Sequence, residues 1–421
     1  MTTTNLSDRM YRSYTEISKG DNVSFAQNVT YGDTEANDSF GRLRVSSSES
    51  IFDNFEITGK KTTLWSENSA GTVACTHVAN QSCIQFAPSM TSGNFITRSS
   101  KKLSLYTPGT SLMILCTGVM GVGAVNSSQR IGLFSALDGI FFEQTDKLMG
   151  VVIRTSTSGT ASNNRIEQAD WNHDRMDGTG PSGVTLDFTK TQIFFIDLEW
   201  LGVGRVRMGF VHEGRIISCH EFHHNNVLDK VYMSTPLLPI TYEVKNNAAV
   251  ATNLTDFRQI CCSVNREGGE STTIKYRSVN NGTTFKATTA TTAIPILSLR
   301  LQTGLVGRAM VKPKFISVLS QGSKDHLFEV LFNATLDGAS FANISGICQA
   351  DTTATAVTGG TKLSTVYSSS DVRMAPEIFN RNLWLGGEIT GTADTLTIIA
   401  RSISGTTTGT VGCGIDFEEH Y

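Results

Sequence analysis

The residues most suggestive of chemistry form the pentapeptide HEFHH at positions 220–224. Its spacing matches the HExxH signature, in which two histidines one helical turn apart bind zinc beside a glutamate base. That site requires a helix, whereas residues 215–219 follow a tight turn at 213–214 and have strand-like composition. In a strand, His220 and His224 would lie about 13 Å apart and could not share one ion. We therefore predict a hairpin strand here and no metal site.

A second candidate is the loop at 170–183, which contains three aspartates and three glycines. Closely spaced carboxylates are typical calcium ligands. The loop departs from the EF-hand pattern, because Arg175 stands at the sixth position, where that motif has glycine, and no glutamate stands at the twelfth. The alternative is an ordered loop in which Asp174 and Asp177 cap backbone amides and Trp171 packs beneath. Calcium binding by this loop stays an open alternative.

Other candidate catalytic groups have less support. The glycine-rich stretch at 118–123 lacks the Lys-Ser/Thr pair of a phosphate-binding loop. Paired carboxylates such as Asp197 with Glu199, or Asp416 with Glu418, have the residue types of a glycosidase couple, but nothing ranks one pair above another. We interpret them as solvated charges on strands and loops. The sequence therefore predicts no enzyme and no cofactor.

Composition disfavours a nucleic-acid-binding protein. The chain has 421 residues, and 35 Lys and Arg against 38 Asp and Glu leave a formal charge of −3. It therefore lacks the positive footprint that phosphate backbones or anionic membranes require. Charged residues make up 17%, below the roughly 25% of an average globular protein. This shortage indicates that much of the surface contacts other protein.

Targeting and redox features also narrow the class of protein. The amino-terminal residues have no signal-peptide pattern, and no window approaches the roughly 18 apolar residues of a membrane span. We therefore expect cytosolic synthesis and no membrane partner. The eight cysteines form no CxxC pair and no zinc-ligand spacing. We predict that they are buried, reduced thiols.

Hydrophobic periodicity predicts an all-β fold. At 192–200, Phe194, Ile196, Leu198 and Trp200 alternate with polar residues, which is the period of a strand. The same alternation continues from 205 to 210, and the chain then turns back from 215 to 222. Amphipathic helical stretches longer than two turns are hard to find. These features favour β-sandwich or jelly-roll-like modules.

The chain divides into three parts on this basis. Residues 1–60 are polar and predict an extended N-terminal arm that becomes ordered only on assembly. Residues 61–310 predict a main β-sandwich domain, and residues 311–421 a C-terminal β domain, with the boundary near the Lys-Pro-Lys interruption at 312–314. No internal repeat of fixed period is present, which disfavours propellers and solenoids.

Four blocks of sequence form a further pattern: residues 31–46 with the FGRLRVS motif, 168–183, 199–207 and 296–301. These blocks resemble a family of uncharacterised structural proteins of tailed bacteriophages and some large DNA viruses. The similarity spans residues 30 to about 335. It implies a location in the virion and supplies no catalytic residues.

These observations together predict a structural component of a bacteriophage virion, made in the host cytoplasm, most consistent with a tail, baseplate or fibre-attachment protein. A capsid decoration protein and a host-glycan-binding receptor protein are the alternatives. The expected partners are copies of the chain itself, closing as a trimer, and other virion proteins, with a host surface glycan in the receptor alternative. Nucleic acid and membrane are not expected. The residues expected to make assembly contacts are Phe40, Arg42, Arg44, Trp171, Asp174, Asp177, Arg205 and Arg207.

Overall fold

The fold is all-β, as the periodicity predicts. The computed structural model describes residues 10–19, 22–31, 37–251, 254, 256–268, 274–288, 292–322, 324–369, 373–374, 383–403 and 409–421. Within these ranges the only helices are three short 3-10 turns, and none is long and apolar enough to cross a membrane. The turns lie at Ala79–Gln81, Gln168–Asp170 and Thr303–Leu305.

The first half of the chain forms a sandwich of two antiparallel sheets, here the first sandwich. Strands are numbered in chain order. One sheet has seven strands, in the spatial order β12 (Ser162–Glu167), β11 (Leu148–Thr155), β10 (Gly139–Thr145), β9 (Ser127–Phe134), β16 (Ile240–Asn246), β7 (Phe95–Ser100) and β4 (Trp65–Ala70).

The second sheet of the first sandwich has eight strands, because one strand pairs beside the main path. The spatial order is β15 (Arg215–Phe222), β14 (Val206–His212), β13 (Gln192–Leu198), β8 (Leu112–Val119), β17 (Phe257–Glu267), β6 (Cys83–Pro88) and β5 (Val73–Val78), with β3 (Ser48–Phe55) paired to β17.

An aromatic core joins the two sheets. The ring of Phe142 on β10 lies 5.2 Å from Phe194 on β13 and 4.9 Å from Phe210 on β14. Trp171 packs against Phe210 at 6.2 Å. Such contacts add about 0.5–1.5 kcal/mol per pair beyond the area that they bury. The predicted strands between 192 and 222 are therefore confirmed, with their apolar face in the core.

The second half of the chain forms a second sandwich. Its five-stranded sheet contains β18 (Lys275–Asn280), β30 (Gly409–His420), β21 (Met310–Gln321) and β28 (Arg373–Met374), with β19 (Lys286–Thr288) paired to β30. Its six-stranded sheet runs β24 (Ala342–Asn343), β25 (Cys348–Asp351), β20 (Ile294–Leu301), β29 (Thr395–Ser402), β22 (His326–Phe332) and β27 (Thr361–Ser368). The small pair β23 (Thr335–Asp337) and β26 (Ala356–Thr358) completes it.

The division of strands differs from the predicted boundaries. Strands from 275 onwards belong to the second sandwich, whereas the sequence placed the division near 310. The cause is β30, near the carboxyl terminus, which pairs with β18, β19 and β21. Strand β3 belongs to the first sandwich, although the predicted arm extended to residue 60. Alternation along one strand does not reveal which distant strand pairs with it.

The N-terminal region contains a hairpin rather than a single extended arm. Strand β1 (Met10–Lys19) pairs with β2 (Asn22–Tyr31) over ten residue pairs, and this two-stranded sheet includes no other described strand. The rest of the predicted arm up to residue 36, at 1–9, 20–21 and 32–36, lies outside the described residues.

The cysteines are all unpaired, in agreement with the prediction of free thiols. Six are buried, whereas Cys75 and Cys261 are only partly buried. Burial raises the pKa of Cys116 to about 12, so this thiol is not a nucleophile at neutral pH.

Candidate functional site: the arginine–carboxylate cluster

The candidate site begins with two neighbouring strands of the eight-stranded sheet. Asp197 on β13 lies directly opposite Arg207 on β14. Because side chains alternate along a strand, Asp197 lies on the face opposite to Phe194 and the aromatic core. Arg207 donates to Asp197 Oδ2 from Nε at 3.1 Å and from Nη2 at 2.5 Å. Ser111 Oγ donates to Asp197 Oδ1 at 2.6 Å.

Residues 37–45, here called the anchor segment, lie over this face as a closed loop. Asp38 Oδ1 accepts hydrogen bonds from the backbone N–H groups of Phe40 at 3.0 Å and Arg42 at 2.8 Å. The Asp38 N–H donates to the Arg42 carbonyl at 2.7 Å. Gly41 has a φ of +76°, which glycine adopts without steric cost. The FGRLRVS motif therefore encodes a turn that holds its own shape.

The arginines of β14 and the residue before it hold the anchor segment by its backbone. Arg205 Nε donates to the Ser39 carbonyl at 3.0 Å, and Arg207 Nη2 donates to the Asn37 carbonyl at 2.6 Å. Guanidinium groups suit this role because they present several donors in one rigid plane. Two motifs more than 160 residues apart thus meet at one place.

Arg44 completes the ionic part of the cluster. Its Nη2 lies 2.8 Å from Asp197 Oδ2, and its Nη1 pairs with Glu267 at the end of β17. Burial by itself would raise the pKa of Asp197, but Arg44 and Arg207 hold it below its ordinary value. Asp197 therefore stays ionised and is shared by two cations.

The pKa of Glu199 shifts in the opposite direction to that of Asp197. Burial, followed by the nearby carboxylates of Asp38 and Asp197, raises the pKa of Glu199 to about 8. Arg42 Nη2 is its nearest partner at 3.9 Å, too far for a hydrogen bond, and pairs more closely with Asp38 at 2.6 Å. Glu199 is therefore protonated at neutral pH.

The structure corrects the interpretation of Asp197 and Glu199 as solvated charges. Their exposed fractions are 0% and 1%. The alternation correctly places Asp197 on the outer face of the strand, but that face is covered by the anchor segment. A short run of sequence cannot show which distant segment folds over a sheet face.

The remaining candidate residues lie in the loop at 171–183 and stabilise that loop. Asp174 Oδ1 accepts from the Met176 N–H at 2.8 Å, and Oδ2 accepts from the Ser182 N–H at 2.7 Å. Asp177 is exposed and accepts two hydrogen bonds from Thr179, which lower the pKa of Asp177. Within the described ranges, no group of three or more His, Cys, Asp or Glu side chains is arranged to hold a metal. This geometry favours the capping alternative over a calcium loop.

The histidines of the HExxH-like segment also have separate partners. His220 lies on the predicted strand β15, where its Nδ1 accepts from the Asn172 N–H at 3.3 Å. His224 Nδ1 lies 2.7 Å from the Gly204 carbonyl, and its ring stacks on Tyr232 with centroids 4.1 Å apart. The polar partners of the two rings differ, although both rings lie beside Phe222, with centroids 4.6 and 6.4 Å away.

Five of the eight predicted contact residues therefore meet in the cluster, and three do not. Trp171, Asp174 and Asp177 belong to the core or to the neighbouring loop. Whether any of the eight contacts another protein stays a prediction. The five that come together are Phe40, Arg42, Arg44, Arg205 and Arg207.

A cleft between the two sandwiches is a second feature, which the sequence did not indicate. Its volume is about 1190 Å³. The outer face of the seven-stranded sheet forms the floor, and the loops at 306–309 and 386–391 of the second sandwich form one wall. Lys101 pairs with Glu388, and the Ile389 N–H donates to Ser66 Oγ at 2.8 Å across the two sandwiches.

Charged side chains form a ladder across the cleft floor and beyond its edge. Arg130 Nε lies 2.7 Å from Glu143 Oε1, and Arg130 Nη1 pairs with Glu243. Arg165 Nε lies 3.0 Å from Glu143 Oε2. Neither strand shows a clear alternation around these charges, because Gln129 precedes Arg130 and Gln144 follows Glu143. The register that places them opposite each other becomes visible only in the sheet.

Comparisons with known proteins give only remote likenesses. No protein family and no curated protein matches the sequence. A protein of unknown function from Shewanella oneidensis MR-1 aligns with a TM-score of 0.35 and 9% identity, over 53% of this chain and 88% of that chain. The CBM2 module of the evolved Dit of Lactobacillus casei BL23 phage J-1 also gives 0.35 and 9%, over 53% and 99%.

The carbohydrate recognition domain of Emp47p aligns with a TM-score of 0.31 and 8% identity, over 52% of this chain and 97% of that domain. All three solved structures thus match about half of the chain at low scores. Likenesses this remote do not assign a function to the chain.

Proposed function

We propose that the protein is a non-enzymatic structural component of a bacteriophage virion that assembles through its N-terminal region. The resemblance of residues 31–46, 168–183 and 199–207 to phage structural proteins motivates the virion location. Within the particle, a tail, baseplate or fibre-attachment position is favoured over a capsid surface, because a multi-domain β chain with a separate N-terminal hairpin suits a junction between symmetric parts.

The observation that carries the proposal is the contrast between the hairpin and the anchor segment. The hairpin of β1 and β2 bonds to no other described strand. A two-stranded hairpin alone is at best marginally stable in water, so it needs a further surface. A neighbouring subunit supplies such a surface in a symmetric oligomer, for which we propose a trimer.

The anchor segment provides the connection between the hairpin and the rest of the protein. It connects the hairpin to the first sandwich, and Arg44, Arg205 and Arg207 hold it there. Because a buried, multiply bonded guanidinium contact loses several kcal/mol when one partner is removed, the connection resists displacement. A load on the hairpin would therefore be transmitted to the sandwich core through β13 and β14.

The test compares two N-terminal deletions by multi-angle light scattering at micromolar concentration. Deletion of residues 1–31 removes the hairpin but keeps the anchor segment, and deletion of residues 1–9 is the matched control. We expect the control to assemble like the full chain. The longer deletion should be monomeric, with an unfolding temperature within about 2 °C of the full chain, because the sandwiches keep their contacts.

Two results would contradict the proposal. In the first, the full-length chain is monomeric, and the chain without residues 1–31 enters particles as well as the full-length chain does. The other is an oligomer that survives deletion of residues 1–31 unchanged. If only the longer deletion loses solubility, its unfolding transition is measured. A folded monomer unfolds cooperatively, whereas a misfolded chain does not.

A second candidate function, binding of a host glycan, is favoured by the cleft between the sandwiches. Concave sites of about 300–1,000 Å³ at domain interfaces are typical of small-ligand binding, and the cleft is of this size or larger. Its lining presents partly exposed hydroxyl groups, among them those of Ser156 and Ser234, whose oxygens can accept hydrogen bonds from a sugar. Binding and structural roles are compatible in one virion protein.

A further inference from the structure

The charges in the cleft do not balance, which indicates the kind of ligand. Its carboxylates already have partners within the protein. Glu243 pairs with Arg130 and accepts from Thr97 Oγ1 at 2.8 Å. Asp138 accepts four hydrogen bonds from the N–H and hydroxyl groups of Ser156 and Ser234, at 2.6–3.1 Å. These anions are therefore compensated.

Three cations in the same cleft have no such compensation among the described residues. Arg154 donates only to neutral groups, the Asn163 side chain at 3.0 Å and the Ser135 carbonyl at 2.9 Å. Lys245 and Arg308 are exposed, line the cleft, and have no carboxylate partner in the described part of the chain. Burial and the neighbouring Arg130 lower the pKa of Arg154, and the more distant carboxylates of Glu243, Glu143 and Asp138 only partly oppose this effect.

The cleft floor also distinguishes between classes of anionic polymer. Extended peptides are commonly bound by pairing with a free sheet edge. Here the centre of the floor is the face of β7, β16 and β9, whose backbone groups are already paired on both sides within the sheet. The floor offers side-chain hydroxyls instead, and Arg154 lies 4.9 Å above the Phe141 ring as a flat, polar surface. These groups suit a hydroxyl-rich chain better than a peptide.

We infer that the cleft binds an acidic oligosaccharide, whose carboxylate groups pair with Arg154, Lys245 and Arg308. This inference rests on the second function proposed above and adds the substrate class. Arginine recognises carboxylates through two parallel hydrogen bonds, and sugar hydroxyls can bond to the serine and threonine side chains of the floor. Neutral sugars would leave the three cations uncompensated.

The test is titration calorimetry of the full chain with three probes of equal length. The first is penta-galacturonate, the second is its methyl ester, which removes the charge but keeps the sugar, and the third is penta-glutamate. We expect the galacturonate to bind at least about tenfold more tightly than either other probe at low ionic strength. Raising the salt concentration should weaken its binding because exposed charges are screened.

A pair of charge-matched variants places the binding in the cleft. The double substitution Lys245→Glu with Arg308→Glu should weaken galacturonate binding at least about tenfold. The control, Lys190→Glu with Lys230→Glu, makes the same change in net charge at exposed residues outside the cleft lining and should bind like the native chain. All four substituted residues are exposed, so folding should be retained.

The outcomes separate this inference from the functions that it builds on. Equal binding of the acid and its ester would overturn the charge argument while supporting a glycan site. No binding of either at millimolar concentration would overturn both. Equal binding of penta-glutamate would favour an acidic peptide, and equal loss in the two double variants would indicate non-specific attraction. None of these results bears on assembly through the hairpin.

Discussion

The two sheets of the first sandwich carry charged side chains on both outer faces, yet the faces behave differently. On the eight-stranded sheet, Asp197 and Arg207 are covered by the anchor segment and are 0% and 4% exposed. On the seven-stranded sheet, the ladder around Arg130 opens into the cleft. The segment that covers a charged sheet face therefore decides whether the face makes internal structural contacts or remains open to a ligand.

The largest effect on stability is expected from a substitution in the arginine–carboxylate cluster beneath the anchor segment. Asp197→Ala leaves the buried Arg207 without its anion and removes one of the two carboxylates of Arg44, so we expect a loss of about 3–5 kcal/mol in the free energy of unfolding. Urea denaturation at pH 7, followed by tryptophan fluorescence, measures it. Asp177→Ala is the control, because that carboxylate is exposed and lies outside the cluster, and it should reduce stability much less than Asp197→Ala. A loss below about 1 kcal/mol for Asp197→Ala would disprove the shared-anion interpretation.

A smaller effect is expected on the open side. Arg130→Gln removes the cation that pairs with both Glu143 and Glu243, and we expect a loss of about 1–2 kcal/mol in the free energy of unfolding. The loss should shrink in 1 M salt, because these partly exposed charges are screened more than the buried cluster. Lys245→Gln is the matched control, since Lys245 has no described carboxylate partner. Equal salt dependence for Arg130→Gln and Asp197→Ala would remove the contrast between the faces.

The smallest effect concerns the protonation of Glu199. Its folded pKa is raised to about 8, so between pH 5 and 8 the folded chain keeps a proton that the unfolded chain releases. Stability from this group therefore falls as the pH rises through that window. Glu199→Gln removes the dependence.

We expect Glu199→Gln to match the native chain at pH 5 and to unfold about 2–4 °C higher at pH 8.5. Thermal unfolding at the two pH values, with the exposed Glu213→Gln as control, measures this difference. The same shift at both pH values would indicate a packing effect, and a lower unfolding temperature at pH 8.5 would contradict the proposed protonation.

The candidate site could be predicted in part. Alternation in 192–200 and 205–210 correctly identified the two strands that place Asp197 and Arg207. Two of the four blocks of resemblance, 31–46 and 199–207, include Arg42, Arg44, Arg205 and Arg207. Their convergence was not predictable, because the contacts join residues 166 to 170 positions apart. The cleft was likewise invisible, since its walls come from two separate sandwiches.

The sequence by itself determined the all-β class, the hairpin strand on which His220 lies, and the turn of the FGRLRVS motif. These features depend on side-chain alternation and local hydrogen bonds, which act over a few residues. Only the tertiary structure decided that the anchor segment covers Asp197, that β30 draws residues from 275 onwards into the second sandwich, and that a charged face opens into a cleft. Such outcomes depend on pairing and packing between distant segments, and a strand's own pattern reveals its two faces but not its neighbours.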